Sequence, residues 1–504
     1  MRQLLLGLDI GTTLTKGVLI DLEGAIVAEA ARESTLISRN PMWAEEDPEL
    51  WWANVVAIVP ELLARAGAGA GDVSAIGVSG MVPAMVLLDA AGRLLRPSIQ
   101  QNDARTAREI AELKAAHDER RFFELTGGSI NQQVVAPKAL WLWKHEPEVM
   151  TKLSTLFGSY DYVAFRLTGQ RSAERNWALE SGLYDVRRER FSQELLELAR
   201  LRPEQLADVH ASHEVIGEVT AAAAAATGLA AGTAVVAGVA DHVSSAYATT
   251  AYGDGDLVLK LGGAGDILFS MGRLVTDPRL YIDYHVVPGK YYLNGCMATS
   301  GSLLEWYVHQ FCDADAAQAR AEGRSSYALL DERAGATTPG ADGLVLLPYF
   351  LGEKTPLFDA AARGTLIGLD LHHTRHHVYR AVLESVAYGF RHHIDVLGER
   401  GLTIARVLAA DGGARSDLWL QICADVLGRP VRRVAGHPGS GLGAAIAAGM
   451  GCGLLDGWSD IERYVRLDRT FLPDERAHAR YDELYGVYRE SYERLKPLYP
   501  QLAS

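Results

Sequence analysis

Three apolar runs separated by short turns open the chain and predict a β-meander. LLLGLDI runs up to Gly11, GTTLT is a turn, KGVLIDL is a second strand, EG a tight hairpin turn and AIVAEA a third strand. The period then changes. DPELWWANVVAIVPELLARA predicts a helix, with Asp47 as N-cap, Pro48 at the first helical position and Glu49 in the first turn. Pro60 is expected to kink or break it. VSAIGVSG reads as a buried strand, and MVLLDAAGRLLRP as another with a turn at Ala91-Gly92. Residues 103–210 are mostly helical in pattern, with Trp141 and Trp143 as packing residues.

After VVAGVADHVSSAYA the opening pattern returns. DLVLKL is a strand, GGAG a turn, DILFS a strand and KYYLNGCMAT another. A strand–glycine turn–strand unit thus opens each half, a repeat of architecture and not of identity. A long helix ending at Gly401 follows, then a strand (RVLAA), DGGARSD, a helix (LWLQICADVLG), a strand (PVRRVA) and a small-residue helix (GLGAAIAAGMG). This order predicts an α/β protein of two lobes with a cleft between them. The turn-rich YATTAYGDGD marks the boundary, giving lobes at residues 1–246 and 247–504.

Bulk properties narrow the partners. A length of 504 residues suffices for two substantial cores, and a net charge of −14 argues against broad nucleic-acid or anionic-membrane binding. No charge-free apolar run reaches the roughly 18 residues of a spanning helix. The N-terminus lacks a signal-peptide pattern. Cys296, Cys312, Cys423 and Cys452 have no CxxC spacing, as expected of reduced thiols in a cytoplasmic protein.

Several segments carry candidate chemistry. In GVADHVSSAYA, Asp241 ends an apolar run and only small residues, Ser244, Ser245 and Ala246, follow closely. In DIGTTLTK, an acid at a strand end precedes Gly11, Thr12 and Thr13, which suits the phosphates of a nucleotide; Asp9 can hold Mg²⁺ through water. The same residues also suit a plain hairpin turn. GGAG, Gly262 to Gly265, and DGGARSD, Asp411 to Asp417, read either as ligand-facing turns or as tight connections, with Ser416 a helix cap in the latter. GSGLGA within GHPGSGLGAA misses dinucleotide-loop spacing by one residue, so close helix packing through small residues is the better account, and a dinucleotide oxidoreductase is disfavoured. His373 and His377 have a zinc-compatible i,i+4 spacing but no third ligand spaced to match, so this cluster and His392-His393 are expected on an exposed helix face.

DIGTTLTKGVLID, SGMVPAMVLLDAAGRLLRPSIQQNDAR, the Ala240-Asp241-His242 stretch, LPYFLGEKTPLFDAAARG, RAVLESVAYGFR and DGGARSDLWLQICADVLGRPV resemble the FGGY family of carbohydrate kinases, in that family's order, from Leu5 to about Gly453. Within the family the likeness is greatest to xylulose kinases. The resemblance implies a two-lobed actin-like (ribonuclease-H-like) fold closing over a sugar and Mg-ATP. By that resemblance Asp9, Gly11, Thr12 and Thr13 form the first phosphate motif, Gly262 and Gly263 the second, and Gly412, Gly413 and Ala414 the adenosine motif. Asp241 would be the catalytic base, accepting the proton of a ketopentose's terminal hydroxyl, D-xylulose first, with ribulose, L-xylulose or a polyol such as erythritol as the alternative. A homodimer is a further family expectation, and a non-catalytic nucleotide-binding sensor the reading from another class. Met81, Val82, Asp103, Arg105 and His242 are the expected sugar-site residues. This chain departs from familiar xylulose kinases there: Met81-Val82-Pro83-Ala84 replaces Gln-Met-His-Gly, Gln101 replaces Trp, His242 replaces Asn and Gly263 replaces Thr.

Overall fold

A computed structural model describes residues 2–436 and 439–502; His437 and Pro438, inside GHPGSGLGAA, lie outside the described residues. Two seven-stranded sheets form the frame. In the first, the antiparallel meander Leu4–Ile10, Leu14–Asp21 and Ile26–Glu33 is extended by Val73–Gly80, parallel to the first strand, then by Ala234–Val236 and Val215–Glu218. In the second, Asp256–Leu261, Gly265–Met271 and Tyr291–Met297 form the meander, and Arg406–Ala410, Val431–Ala435 and Arg466–Phe471 extend it. The parallel and antiparallel pairings run in the same sequence in both, so the repeat read from glycine turns is a repeat of sheet topology. The second sheet adds one edge strand, Tyr281–Tyr284.

The helix Pro48–Ala66 covers one face of the first sheet. Asp47 caps it by accepting from the Glu49 N–H at 3.0 Å. Ile58 and Leu62 lie so close to the sheet that a Cβ on Gly17 would meet each at 2.7 Å. The helix passes through Pro60 unbroken, contrary to the expected interruption. Pro60 lies on the exposed face, so the disturbed hydrogen bond faces water while Ile58, Val59 and Leu62 keep the helix docked.

The other face receives the helix Ser440–Gly451. Gly7 and Gly77 are register partners on adjacent strands. A Cβ on Gly7 would lie 1.9 Å from the Gly441 carbonyl oxygen, and one on Gly77 2.0 Å from that of Ala444. Helix backbone therefore rides on strand backbone, which only small residues allow. This is the work of GSGLGA, and it takes a helix from the second half of the chain across the 246/247 division onto the first sheet.

The histidine expectations need correction. The helix Arg375–Glu399 begins after its N-cap Thr374, so His373 precedes it and shares no helical face with His377. His392 and His393 are buried, because this helix packs into the second lobe's core. His393 approaches the Gly389 carbonyl and the Thr355 hydroxyl, each at 2.8 Å, and burial pushes it down to about 4. All four cysteines are free thiols. No described helix is long and apolar enough to cross a membrane.

Candidate active site

A cleft of about 540 Å³ lies between the lobes, with Asp9, Asp241, Lys16, Lys260, Asp266 and Asp411 on its walls. Asp9 reaches it from the end of the first strand. It pairs in register with Ser79, whose hydroxyl donates to Asp9 Oδ1 at 3.1 Å. The Ser440 side chain, in the first turn of the bridging helix, hydrogen-bonds the same carboxylate. Burial and the charge of Asp241 nevertheless push Asp9 up to about 6, against Ser440, Ser79 and Lys16.

Asp241 is the first residue of the helix Asp241–Tyr247, directly after the short strand Val239–Ala240. Its Oδ1 accepts the His242 backbone N–H at 2.6 Å. The small residues behind it admit the bridging helix. The Ser244 hydroxyl donates to the Ser440 carbonyl at 2.6 Å, and a Cβ on Gly443 would stand 2.6 Å from the Ser244 carbonyl oxygen. One small-residue helix thus holds the Asp9 carboxylate directly and packs against the short helix that carries Asp241.

Of the glycine turns, Ala264 and Asp411 line the cleft, whereas Gly11, Thr12, Thr13, Gly262, Gly263, Gly412, Gly413 and Ala414 do not. Gly11 closes its hairpin by donating to the Leu14 carbonyl at 3.1 Å, with Thr12 partly exposed and Thr13 exposed. The Gly262 and Gly263 carbonyls accept from Gly301 and Ser300 at the start of the helix Gly301–Phe311. Gly263, where the family has Thr, has no heavy atom within 4 Å of a built Cβ. Of the third motif, Gly412 borders open space, whereas Gly413 would clash with Leu261 and Trp419 at 2.7 Å and Ala414 is buried. These last two pack the turn before the helix Asp417–Leu427, which Ser416 caps by accepting from Trp419 N–H at 3.0 Å.

The sugar-side expectations are met unevenly. Val82, Pro83, Gln101 and His242 line the cleft, while Met81 is buried behind it. Asp103 and Arg105 do not line it. Arg105 bonds Asp103 and Glu45, its guanidinium lies 3.7 Å over the Trp43 ring, and Asp103 also accepts the Ala44 N–H at 2.6 Å. As direct sugar ligands they are therefore corrected: their charges are satisfied within the protein, and they brace the loop that carries Gln101.

Sequence reasoning missed Lys260, Glu180, Asp283 and Asn294, all on the cleft wall. Burial opposes the charge on Lys260, but Asp266, Asp411 and Asp241 outweigh it and raise its pKa. His242 Nε2 lies 3.2 Å from Asp283 Oδ2 and 3.8 Å from Glu180 Oε1, and Nδ1 lies 3.5 Å from Asp241 Oδ1. Burial disfavours its protonation, yet Asp283 and Glu180 outweigh burial and hold the imidazole well above its ordinary pKa. Burial, with the charges of Asp283 and Asp241, raises Glu180 well above the ordinary carboxylate range, against the pull of His242. Glu180 ends a helix and Asp283 sits on the edge strand, where no local sequence signature marks them.

Comparison with known proteins agrees with this geometry. Residues 4–248 match the FGGY family of carbohydrate kinases, N-terminal domain, and residues 274–452 its C-terminal domain. A xylulose kinase of Rhodospirillum rubrum superposes with a TM-score of 0.93 at 46% identity, covering 99% of this chain and 100% of that one. A xylulose kinase of Bacillus subtilis (strain 168) is 28% identical over 502 residues, 99% of this chain and 98% of its own. An autoinducer-2 kinase of Klebsiella pneumoniae is also 28% identical, over 97% of this chain and 93% of its own.

Proposed function

The chain belongs to the FGGY family of carbohydrate kinases, and within it we propose that the reaction is transfer of the γ-phosphoryl group of ATP to the terminal hydroxyl of D-xylulose, giving D-xylulose 5-phosphate. The observation that carries the chemistry is the meeting of Asp241 and Asp9 in one inter-lobe cleft, with the bridging helix holding Asp9 and packed behind Asp241. Near-complete coverage at 46% identity to a xylulose kinase supports the sugar. The autoinducer-2 kinase, as similar to this chain as the Bacillus protein, is the reason the sugar needs its own test.

Phosphoryl transfer is mainly a problem of positioning and charge neutralisation. The sugar hydroxyl donates to Asp241 Oδ2, whose sister oxygen is already engaged by the His242 backbone. As the hydroxyl oxygen bonds to the γ-phosphorus, the bond to the β–γ bridging oxygen breaks, the proton passes to Asp241 and ADP leaves. Burial and the neighbouring charge of Asp241 disfavour ionised Asp9, and Mg²⁺ held there through water would favour its charged form. Bound there, Mg²⁺ would neutralise charge on the phosphates. Lys16 and Lys260 supply further positive charge in the cleft, and the glycine turns beside it would let the phosphate chain approach the backbone. Closing the lobes would keep water from competing as nucleophile. A cytoplasmic location and a homodimer accompany this reading.

ADP release measured with Mg-ATP and D-xylulose, D-ribulose, L-xylulose, erythritol and a hexose tests it. D-xylulose should give the highest kcat/KM. A higher value for another substrate overturns the sugar assignment, and background rates with all of them favour a nucleotide-binding sensor. Asp241→Asn should lose about 10²–10⁴-fold in kcat while calorimetry still detects ATP binding. Near-normal turnover in that variant would remove Asp241 as the base.

A further inference from the structure

We propose that His242 is a positioning residue for Asp241: an imidazolium braced by Asp283 of the opposite lobe, which holds one oxygen of the base so that the other meets the substrate. This rests on Asp241 being the base. Two groups of His242 address Asp241 Oδ1, its backbone N–H at 2.6 Å and its ring Nδ1 at 3.5 Å. Among the described residues no protein hydrogen bond engages Oδ2. The other ring nitrogen points away from the base, 3.2 Å from Asp283 Oδ2. Asp283 is 1% exposed and accepts a hydrogen bond from Asn294.

The brace spans the cleft. His242 follows the first lobe's short strand, whereas Asp283 sits on the extra edge strand Tyr281–Tyr284 of the second sheet. That strand is docked onto the first lobe. The Tyr284 N–H donates to Asn176 Oδ1 at 2.7 Å, and Asn176 Nδ2 returns a bond to the Tyr284 carbonyl at 3.0 Å. Both ring nitrogens of His242 face carboxylates, so the residue standing where the family has Asn serves the base rather than a sugar hydroxyl. The titratable groups facing the ring are Asp241, Glu180 and Asp283. With Nδ1 toward Asp241 and Nε2 toward Asp283, one imidazolium stands between two carboxylates, an arrangement in which each charge has a partner.

Two measurements test this, one independent of turnover. In the full-length protein, a histidine-ring ¹H–¹⁵N correlation spectrum, assigned by the signal lost in His242→Asn, should show both ring nitrogens protonated near pH 7.5. A singly protonated ring at that pH overturns the proposal. So does calorimetric binding of Zn²⁺ or Mn²⁺ that His242→Asn abolishes, since a cation would then occupy the place of the proton. In steady-state kinetics His242→Ala should lower kcat about 10–100-fold and leave KM for ATP unchanged. Asp283→Asn should lose a similar factor, and the double variant no more than the larger single loss, because Asp283 acts through His242. His242→Asn, which keeps a donor near the Nδ1 position, should recover part of kcat. A rise in sugar KM alone would make His242 a sugar ligand, and multiplicative losses would uncouple Asp283; either outcome overturns the proposal. If the unaltered protein phosphorylates none of the sugars, the functional reading has failed, and the ring spectrum still decides whether the brace exists.

Discussion

Gly77→Ala tests whether packing behind the site controls chemistry in front of it. The new methyl group would stand 2.0 Å from the Ala444 carbonyl oxygen, where ordinary contact begins at 3.4 Å. Neither partner is a side chain that can rotate away, so the bridging helix must retreat by roughly 1.4 Å, and overpacking of this kind costs about 1–3 kcal/mol. Lower entropy of the unfolded chain offsets about 0.4–1 kcal/mol of that. The retreat moves Ser440, which holds Asp9 by its side chain and Ser244 by its carbonyl. Both carboxylates shift, and a misplacement near 1 Å lowers turnover by about 10²-fold. Calorimetric Tm and kcat at saturating ATP and sugar are the assays. Gly441→Ala is the milder control, because its Cβ would meet Val18 Cγ1 at 3.1 Å and backbone, that of Gly7, only at 3.6 Å, within ordinary contact. A lowered Tm with unchanged kcat would refute the mechanical link, and an unchanged Tm would refute the packing argument itself.

Two further outcomes follow from charges in and behind the cleft. Asp9 has a folded-state pKa of about 6 against an ordinary 3.8, so the folded state holds the proton more tightly. Stability therefore falls as pH rises between those values, and above about pH 6 the full penalty, on the order of 2–3 kcal/mol, is present. Asp9→Asn should raise Tm near pH 7.5, leave it unchanged near pH 4 and abolish turnover; calorimetry across that range checks the sign, and an equal Tm near pH 7.5 contradicts it. Arg105→Ala strands the buried charge of Asp103, while Glu45 keeps Arg96, so urea unfolding should register a loss of about 3–5 kcal/mol. Arg105→Lys should recover little, because an ammonium cannot reproduce the forked bonds and the stack on Trp43.

What the sequence disclosed divides along physical lines. The Asp47 and Ser416 caps and the glycine hairpins were legible because their chemistry is local. Pro60 was misread because docking on the sheet overrides a local preference, and His392 because polarity alone does not report a helix buried on most sides. Asp9 and Asp241 stood out as acids ending apolar runs. Asp103 and Arg105 had the right residue types, but pattern carries no side-chain direction: Arg105 turns inward to Glu45 and Trp43, and Asp103 to Arg105 and the Ala44 N–H.

One signal was present in the sequence and gains its meaning from the register. In each lobe a charged residue stands two positions before the first glycine of the hairpin, Asp9 before Gly11 and Lys260 before Gly262. Across the hairpin each faces its opposite, Asp9 with Lys16 and Lys260 with Asp266. The two lobes share a topology but exchange acid and base at this pair. A symmetric duplication of charge would present either two acids or two lysines at the glycine turns. Each hairpin therefore brings one acid and one lysine to the cleft, Asp9 with Lys16 and Lys260 with Asp266. The two lysines suit an anionic phosphate chain and the acids a cation that accompanies it, so the exchange keeps both kinds of charge at both glycine turns.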